Sequence, residues 1–165
     1  MFRLLKETPA DSAEVEWLLD LAFGPGRMGL SSYQLRAGVG PVAELSRIAR
    51  DEYDALVGTI RFWPVSIGEA QDPALLLGPI AVHPTRQGEG LGALLMADSL
   101  DAARGLGWTR VLLVGDAPYY ARFGFTRDLT RALDFPRPFN PERLLGRALE
   151  EGAFDCCSGM VKAGN

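Results

Sequence analysis

Apolar positions along the chain switch between strand-like and helix-like spacing, and each switch falls at a turn signal. Phe2 to Leu5 reads as a first strand, and Thr8-Pro9-Ala10-Asp11 as the turn into a helix running to about Phe23. That helix carries Val15, Leu18, Leu19 and Ala22 on one face, with Asp11 or Ser12 as its cap. Gly24-Pro25-Gly26-Arg27-Met28-Gly29 breaks it, and Ser31 or Ser32 starts a short second helix through Leu35 and Arg36. Val42 to Arg50 and Leu56 to Ile67 flank the polar turn Asp51-Glu52-Tyr53-Asp54, which predicts a hairpin. Val57, Ile60, Phe62 and Val65 do not alternate cleanly, so a bulge or burial on both faces is expected there. Gly68 to Pro73 connects to a strand over 75–82, in which Pro79 has no N–H for a ladder bond and therefore predicts a bulge.

The second half repeats the alternation of elements. Leu91, Leu94, Leu95, Ala102 and Leu106 follow a helical period that Gly105-Leu106-Gly107 stops. Thr109 to Val114 then reads as a buried parallel strand, so strand, helix and strand form a right-handed crossover unit. Asp116 to Arg122 predicts a short helix that packs Tyr119 or Tyr120 inward, with Phe123 and Phe125 in the core. Further on come an apolar segment, Ala132 to Phe135, a stiff loop over 136–141, and a helix capped by Asn140 with Pro141 at its first position. A final strand is expected within Ala153 to Val161. The adjacent Cys156 and Cys157 would alternate across it as packing residues, because they lack the spacing of a zinc or redox pair.

Composition narrows the class. At 165 residues, with 47% hydrophobic and 23% charged residues, the chain has the profile of one ordinary globular domain. A net charge of −4 without any run of Lys or Arg argues against a nucleic-acid partner. The amino terminus lacks the apolar core of a signal peptide, and no stretch is long enough for a membrane span, so the cytoplasm is the expected location, with monomer and homodimer both left open.

The chemistry gathers where the strand over 75–82 meets the following helix. Glycines at 88, 90 and 92 directly before a helix let the backbone approach a ligand while the first helical amides point at it, which suits phosphate. A kinase or ATPase loop is excluded, because no Lys follows these glycines. Gly88, Gly90 and Ala93 do spell a dinucleotide fingerprint, with Asp116 roughly where a ribose-binding acid would stand. Against that, Pro84-Thr85-Arg86-Gln87 separate the glycines from the strand, and little chain remains for a doubly wound sheet.

A third pattern matches at every position. Gln87-x-x-Gly90-x-Gly92, preceded by Val82-His83-Pro84, resembles the acyl-coenzyme A pyrophosphate loop of the GNAT superfamily of N-acetyltransferases. Gly115-Asp116-Ala117-Pro118-Tyr119-Tyr120-Ala121-Arg122-Phe123-Gly124-Phe125 resembles that superfamily's later motif, in which a Tyr stands four residues before Gly-Phe. The resemblance implies an α/β (α+β) fold with a mixed, mostly antiparallel central sheet splayed at the acyl-CoA site and helices on both faces. It implies acetyl-CoA as cosubstrate and direct attack by an amine, through a tetrahedral intermediate, with a small molecule or peptide as acceptor and no metal.

By the same resemblance the pantetheine arm meets Ile80, Ala81 and Val82, with the Val82 amide polarising the carbonyl. Arg86, Gln87, Gly88, Glu89, Gly90, Leu91 and Gly92 take the pyrophosphate, and Asp116 and Tyr120 complete the cofactor side. Tyr120 is the expected acid for the leaving thiolate. The general base stays open between His83, the one histidine, and a water chain touching Asp116. Arg27, Tyr33 and Arg36 fall in the wall that faces the acceptor. A coenzyme A-binding module without catalysis remains the alternative.

Overall fold

The computed structural model describes residues 1–24, 26–27 and 30–164. Its scaffold is a sheet in the order β1 (Arg3–Lys6), β2 (Arg47–Arg50), β3 (Leu56–Ile67), β4 (Asp72–Val82), β5 (Arg110–Val114), β7 (Leu144–Ala148). β8 (Gly159–Ala163) pairs with the far half of β3, and the two-residue β6 (Leu133–Asp134) pairs with β8. Among the described residues only β4 with β5 and β6 with β8 run parallel, so the sheet is mixed and mostly antiparallel.

Helices cover both faces because the strands are apolar on both. On one face α2 (Leu91–Gly105) packs Leu91, Leu95, Met96, Leu100 and Ala103 onto Ile60, Phe62, Leu75, Val111 and Leu113. Gly58 permits this approach, since a Cβ there would stand 3.0 Å from a Leu91 methyl and 3.1 Å from one of Leu95. On the other face α1 (Ser12–Phe23) buries Val15, Leu18 and Leu19 against Ile48, Leu56 and Ala81. Beyond it, Trp63, Val65, Ile67, Leu76 and Leu112 pack with Phe135, Phe154 and Cys157 of the carboxy-terminal segment.

Two irregularities of β4 shape the site. Ile60 stands opposite Ile80 but Phe62 stands opposite Leu77, so Gly78 and Pro79 together face the single residue Arg61; this is the bulge expected at Pro79. The indole N–H of Trp63 donates to the Gly78 carbonyl at 2.6 Å and holds the bulge in place. Pairing of β4 with β5 is confined to Leu75 with Val111 and Leu76 with Leu112. Past those residues the two strands part.

Several elements differ from expectation. Residues 141–143 make one 3₁₀ turn, capped by the Asn140 side chain (3.1 Å to the Glu142 amide), and the chain then enters β7 rather than a helix. Pairing with β5 decides this over the local helix-start signal. The last strand begins at Gly159, so the cysteines lie in the preceding turn and do not alternate across it: Cys157 is buried, Cys156 exposed. Only Arg47–Arg50 of the expected 42–50 strand is extended, while β4 begins earlier, at Asp72. Leu94, Leu106 and Ala22 are exposed rather than packed.

Asp11 stands at the start of α1 but accepts from the Thr8 amide (2.8 Å) and hydroxyl (2.9 Å) instead of capping the helix. Ser31–Leu35 is a 3₁₀ segment whose cap position is Leu30. Of the glycine-rich break before it, Pro25, Met28 and Gly29 lie outside the described residues.

Candidate functional site

Where β4 and β5 part, a cleft opens that runs from the glycine loop to the segment after α1. Its outer half, of about 610 Å³, is lined by Ile80, Ala81, Val82, Arg86, Gln87, Gly88, Gly90, Leu91, Gly92 and Ala93 on one side. Tyr119, Tyr120, Arg122 and Phe123 line the other. The inner pocket is lined by Leu76 to Ile80, Leu113, Val114, Phe23, Arg27, Leu30, Ser32, Tyr33, Arg36 and again Tyr120. Ile80 and Tyr120 belong to both halves and mark their junction.

The loop presents backbone to the cleft. Gly88 and Gly90 have φ of +85° and +79°, a region that L residues avoid, and a Cβ built at either position meets nothing within 4 Å. Gly90 precedes α2, whose first hydrogen bond is from the Leu94 amide to the Gly90 carbonyl at 3.1 Å. The amides of the first helical turn therefore have no partner within the helix and carry the positive end of its dipole.

β4 also offers amides. The His83 N–H donates to the Val57 carbonyl at 2.8 Å, and successive amides of a strand alternate between its two edges. Those of Ile80 and Val82 consequently point away from β3, toward the opening.

Opposite them, α3 (Ala117–Tyr120) is a single turn started by Asp116, whose carboxylate accepts from the Tyr119 amide at 3.3 Å. The turn carries Tyr120 inward, where its ring packs edge-on against Phe125 (6.3 Å) and Tyr119 (4.9 Å). Its hydroxyl makes no hydrogen bond to the described residues. Burial, reinforced by neighbouring Tyr119, pushes the phenol above its ordinary pKa, so it is a protonated donor at neutral pH.

Three candidate residues have other engagements. His83 lies outside both halves of the cleft: it stacks on Trp17 (6.0 Å), caps the 84–86 turn through Nδ1 (3.2 Å to the Thr85 amide), and lines a separate surface depression. Arg86 reaches the rim of the cleft but its guanidinium is held by Asp51 (3.0 Å), Glu52 (2.7 Å) and Glu89 (3.6 Å). These carboxylates raise its pKa and offset its charge. Asp116 is exposed and serves the cap; neither it nor Glu89 lines the cleft.

Tyr119 and Arg122 are among the lining residues that the sequence did not assign to the site. Tyr119 brings its hydroxyl to 3.5 Å from where a Cβ of Gly92 would be, and Arg122 lies over the Tyr119 ring at 4.7 Å. The i, i+3 spacing of Tyr119 and Arg122 on one turn was the available signal.

At the inner end Arg27, Tyr33 and Arg36 come together. Arg27 donates to Glu16, to Asp20 (3.0 Å) and to the Tyr33 hydroxyl (2.8 Å). Arg61, behind them on β3, is clamped by Glu7 (3.0 and 2.8 Å) and Glu16 (3.1 Å). The guanidinium of Arg36 lies over the faces of Tyr33 (4.1 Å) and Trp63 (5.4 Å).

Comparison with known proteins agrees with this geometry. Residues 44–127 match the family described as acetyltransferase (GNAT) domain. Over 156 residues, 94% of this chain and 92% of the relative, the sequence is 28% identical to the uncharacterized N-acetyltransferase YhbS of Escherichia coli strain K12. It is 40% identical to another E. coli protein, the uncharacterized N-acetyltransferase YjhQ, over 83 residues, 49% of this chain and 45% of that one.

Among solved structures, the fold is similar to that of E. coli YhbS in complex with CoA, with a TM-score of 0.85 at 24% identity over 99% of this chain and 89% of that one. It is also similar to a GNAT family acetyltransferase from Brucella melitensis in complex with acetyl-CoA, with a TM-score of 0.63 and 35% identity, covering 76% of this chain and 83% of that one. No helix among the described residues is long and apolar enough to cross a membrane.

Proposed function

The chain belongs to the GNAT acetyltransferase family, and from that premise we propose that it acts as one acyltransferase domain moving an acetyl group from acetyl-CoA to an acceptor amine. The observation that carries the reading is the continuity of the cleft: a phosphate-suited loop and an arginine-lined pocket meet at Ile80 and Tyr120. The donor fits this chain's own features, since the space a side chain would fill at Gly88 and Gly90 is open and both backbones have the positive φ that glycine tolerates.

In this reading the amides of residues 87 to 92 hold the pyrophosphate. Arg122 supplies the cation there, because Arg86 is already offset by three carboxylates. The outward amides of Ile80 and Val82 hold the arm, and that of Val82 polarises the carbonyl. Bound in this way, acetyl-CoA supplies an activated thioester.

The acceptor's nitrogen lone pair adds to the carbonyl carbon as the C=O π pair moves to oxygen, and collapse of that tetrahedral intermediate re-forms the C=O bond and breaks the C–S bond. The nitrogen's surplus proton leaves to water, and the Tyr120 hydroxyl gives its proton to the departing sulfur and is reprotonated from solvent. His83, stacked on Trp17 outside the cleft, has no part in this scheme.

Thiol release from acetyl-CoA with a panel of amines and peptides tests the reading. Tyr120→Phe keeps the ring and should lower kcat by roughly 10²–10⁴ with little change in coenzyme A affinity. Wild-type turnover in that variant, with chemistry limiting, would remove Tyr120 from the mechanism.

A further inference from the structure

At the inner pocket three arginines converge, Arg27 and Arg36 in its lining and Arg61 behind them, and their partners are unequally shared. Arg61 takes both oxygens of Glu7 and one of Glu16, while Arg27 takes the other oxygen of Glu16 together with Asp20. Arg36 forms no ion pair among the described residues. Its Nε is buried with no hydrogen-bond partner among them, and its neighbours are the aromatic faces of Tyr33 and Trp63. Loss of water pushes its pKa down to about 10, which still leaves a cation at neutral pH. A desolvated cation held by Tyr33 and the ring face of Trp63, with its Nε unpaired and no carboxylate beside it among the described residues, has high affinity for an anion that restores its hydrogen bonds.

The position of Arg36 says which anion would meet it. A Cβ at Gly78 would be 3.3 Å from its Nη2, so the guanidinium abuts the bulge of β4. It shares the inner pocket with Tyr120 and is absent from the lining of the glycine-loop half. The phosphates of the donor are therefore not its partner. The inner pocket is small, about 150 Å³, and its walls at Leu76, Leu77, Leu113 and Val114 are apolar, which suits a compact planar anion against a planar fork.

Resting on the acetyltransferase reading above, we propose that the acceptor is an amine that also carries a carboxylate, and that Arg36 receives that carboxylate while the amine faces Tyr120.

The test uses the L-amino acids, each paired with its own carboxamide, as acceptors in the thiol-release assay. The corresponding N-acetyl acids and N-acetyl amides serve as product probes, titrated by calorimetry into protein saturated with coenzyme A. At least one acid should exceed its amide by roughly 10²-fold in kcat/KM or in product affinity. Arg36→Gln should abolish that preference without loss of coenzyme A affinity, and Arg36→Lys should keep part of it.

Equal handling of acid and amide by the wild type, binding of no acid in the panel, or a preference that survives in Arg36→Gln overturns the proposal. The first result needs no variant, so it stands even if Arg36→Gln fails to fold. Amides acetylated as well as acids would leave the acetyltransferase reading intact and end this one; absence of acetyl-CoA binding would end both.

Discussion

Tyr120 sits where it does because Gly115, at the end of β5, has no side chain: a Cβ there would be 2.5 Å from Tyr120 Cε2 and 3.1 Å from a Leu113 methyl. Gly115→Ala must therefore shift the ring, and a misplacement on the order of 1 Å is enough to cost about 10²-fold in rate. The expected outcome is a kcat lowered by about that factor in Gly115→Ala, and no further loss when it is combined with Tyr120→Phe, because both act through one hydroxyl. Additive losses would show that Gly115 matters for something else. The raised pKa of the phenol adds a pH signature: the acid form persists above the ordinary tyrosine value of 10.0, so any fall of kcat due to Tyr120 should begin beyond it. At this scale the sequence was legible where backbone alone matters, as at Gly88 and Gly90. It was misleading where a side chain has competing partners: nothing local shows that Arg86 is claimed by Asp51 and Glu52, more than thirty positions away, or that His83 turns to Trp17.

The elements that place the site depend on one close approach. β3 and α2 meet at Gly58, so Gly58→Val should force Leu91 and Leu95 off their seats at the start of the helix that carries the loop. Overpacking of this kind costs roughly 1–3 kcal/mol, to be read from denaturant unfolding, and acetyl-CoA affinity should fall with it. Stability and affinity that both stay at wild-type level would separate the loop from that contact. The two strands that form the cleft and the crossover helix were evident from apolar runs and glycine stops. β7 was not, because Asn140 and Pro141 do start a helical turn and only pairing with β5, from Val114 with Leu144 to Arg110 with Ala148, turns the following residues into strand. The bulge was foreseeable from the missing N–H of Pro79. The way the strands part beyond Leu76 and Leu112 could not be read from the apolar pattern, since it is a property of two segments some thirty-five residues apart, and was expected only from the family resemblance.

Across the molecule, α1, the segment after it and β3 are tied by Glu16, which accepts from both Arg27 and Arg61. Burial alone would raise the pKa of Glu16, but the two arginines outweigh it and hold it below its ordinary value of 4.5. A depressed folded-state carboxylate stabilises the protein above its unfolded pKa, and that contribution is lost as pH falls through the folded value. Thermal midpoints followed from neutral pH into the acid range should therefore drop more steeply in the wild type than in Glu16→Gln, which should start lower at neutral pH; identical slopes would contradict the link. Arg27 of the same tie lines the inner half of the cleft, so in the proposed reading the acceptor end draws on segments from across the fold while the donor's phosphates rest on one loop. That division makes the donor end the place to test the account. Calorimetric titration of acetyl-CoA into the wild type and into Gly90→Val, with melting curves to confirm that both are folded, should give binding that Gly90→Val weakens by about tenfold or more, since a branched side chain enters the open space at φ +79°. Unchanged affinity in Gly90→Val, or no binding by the wild type, would contradict it.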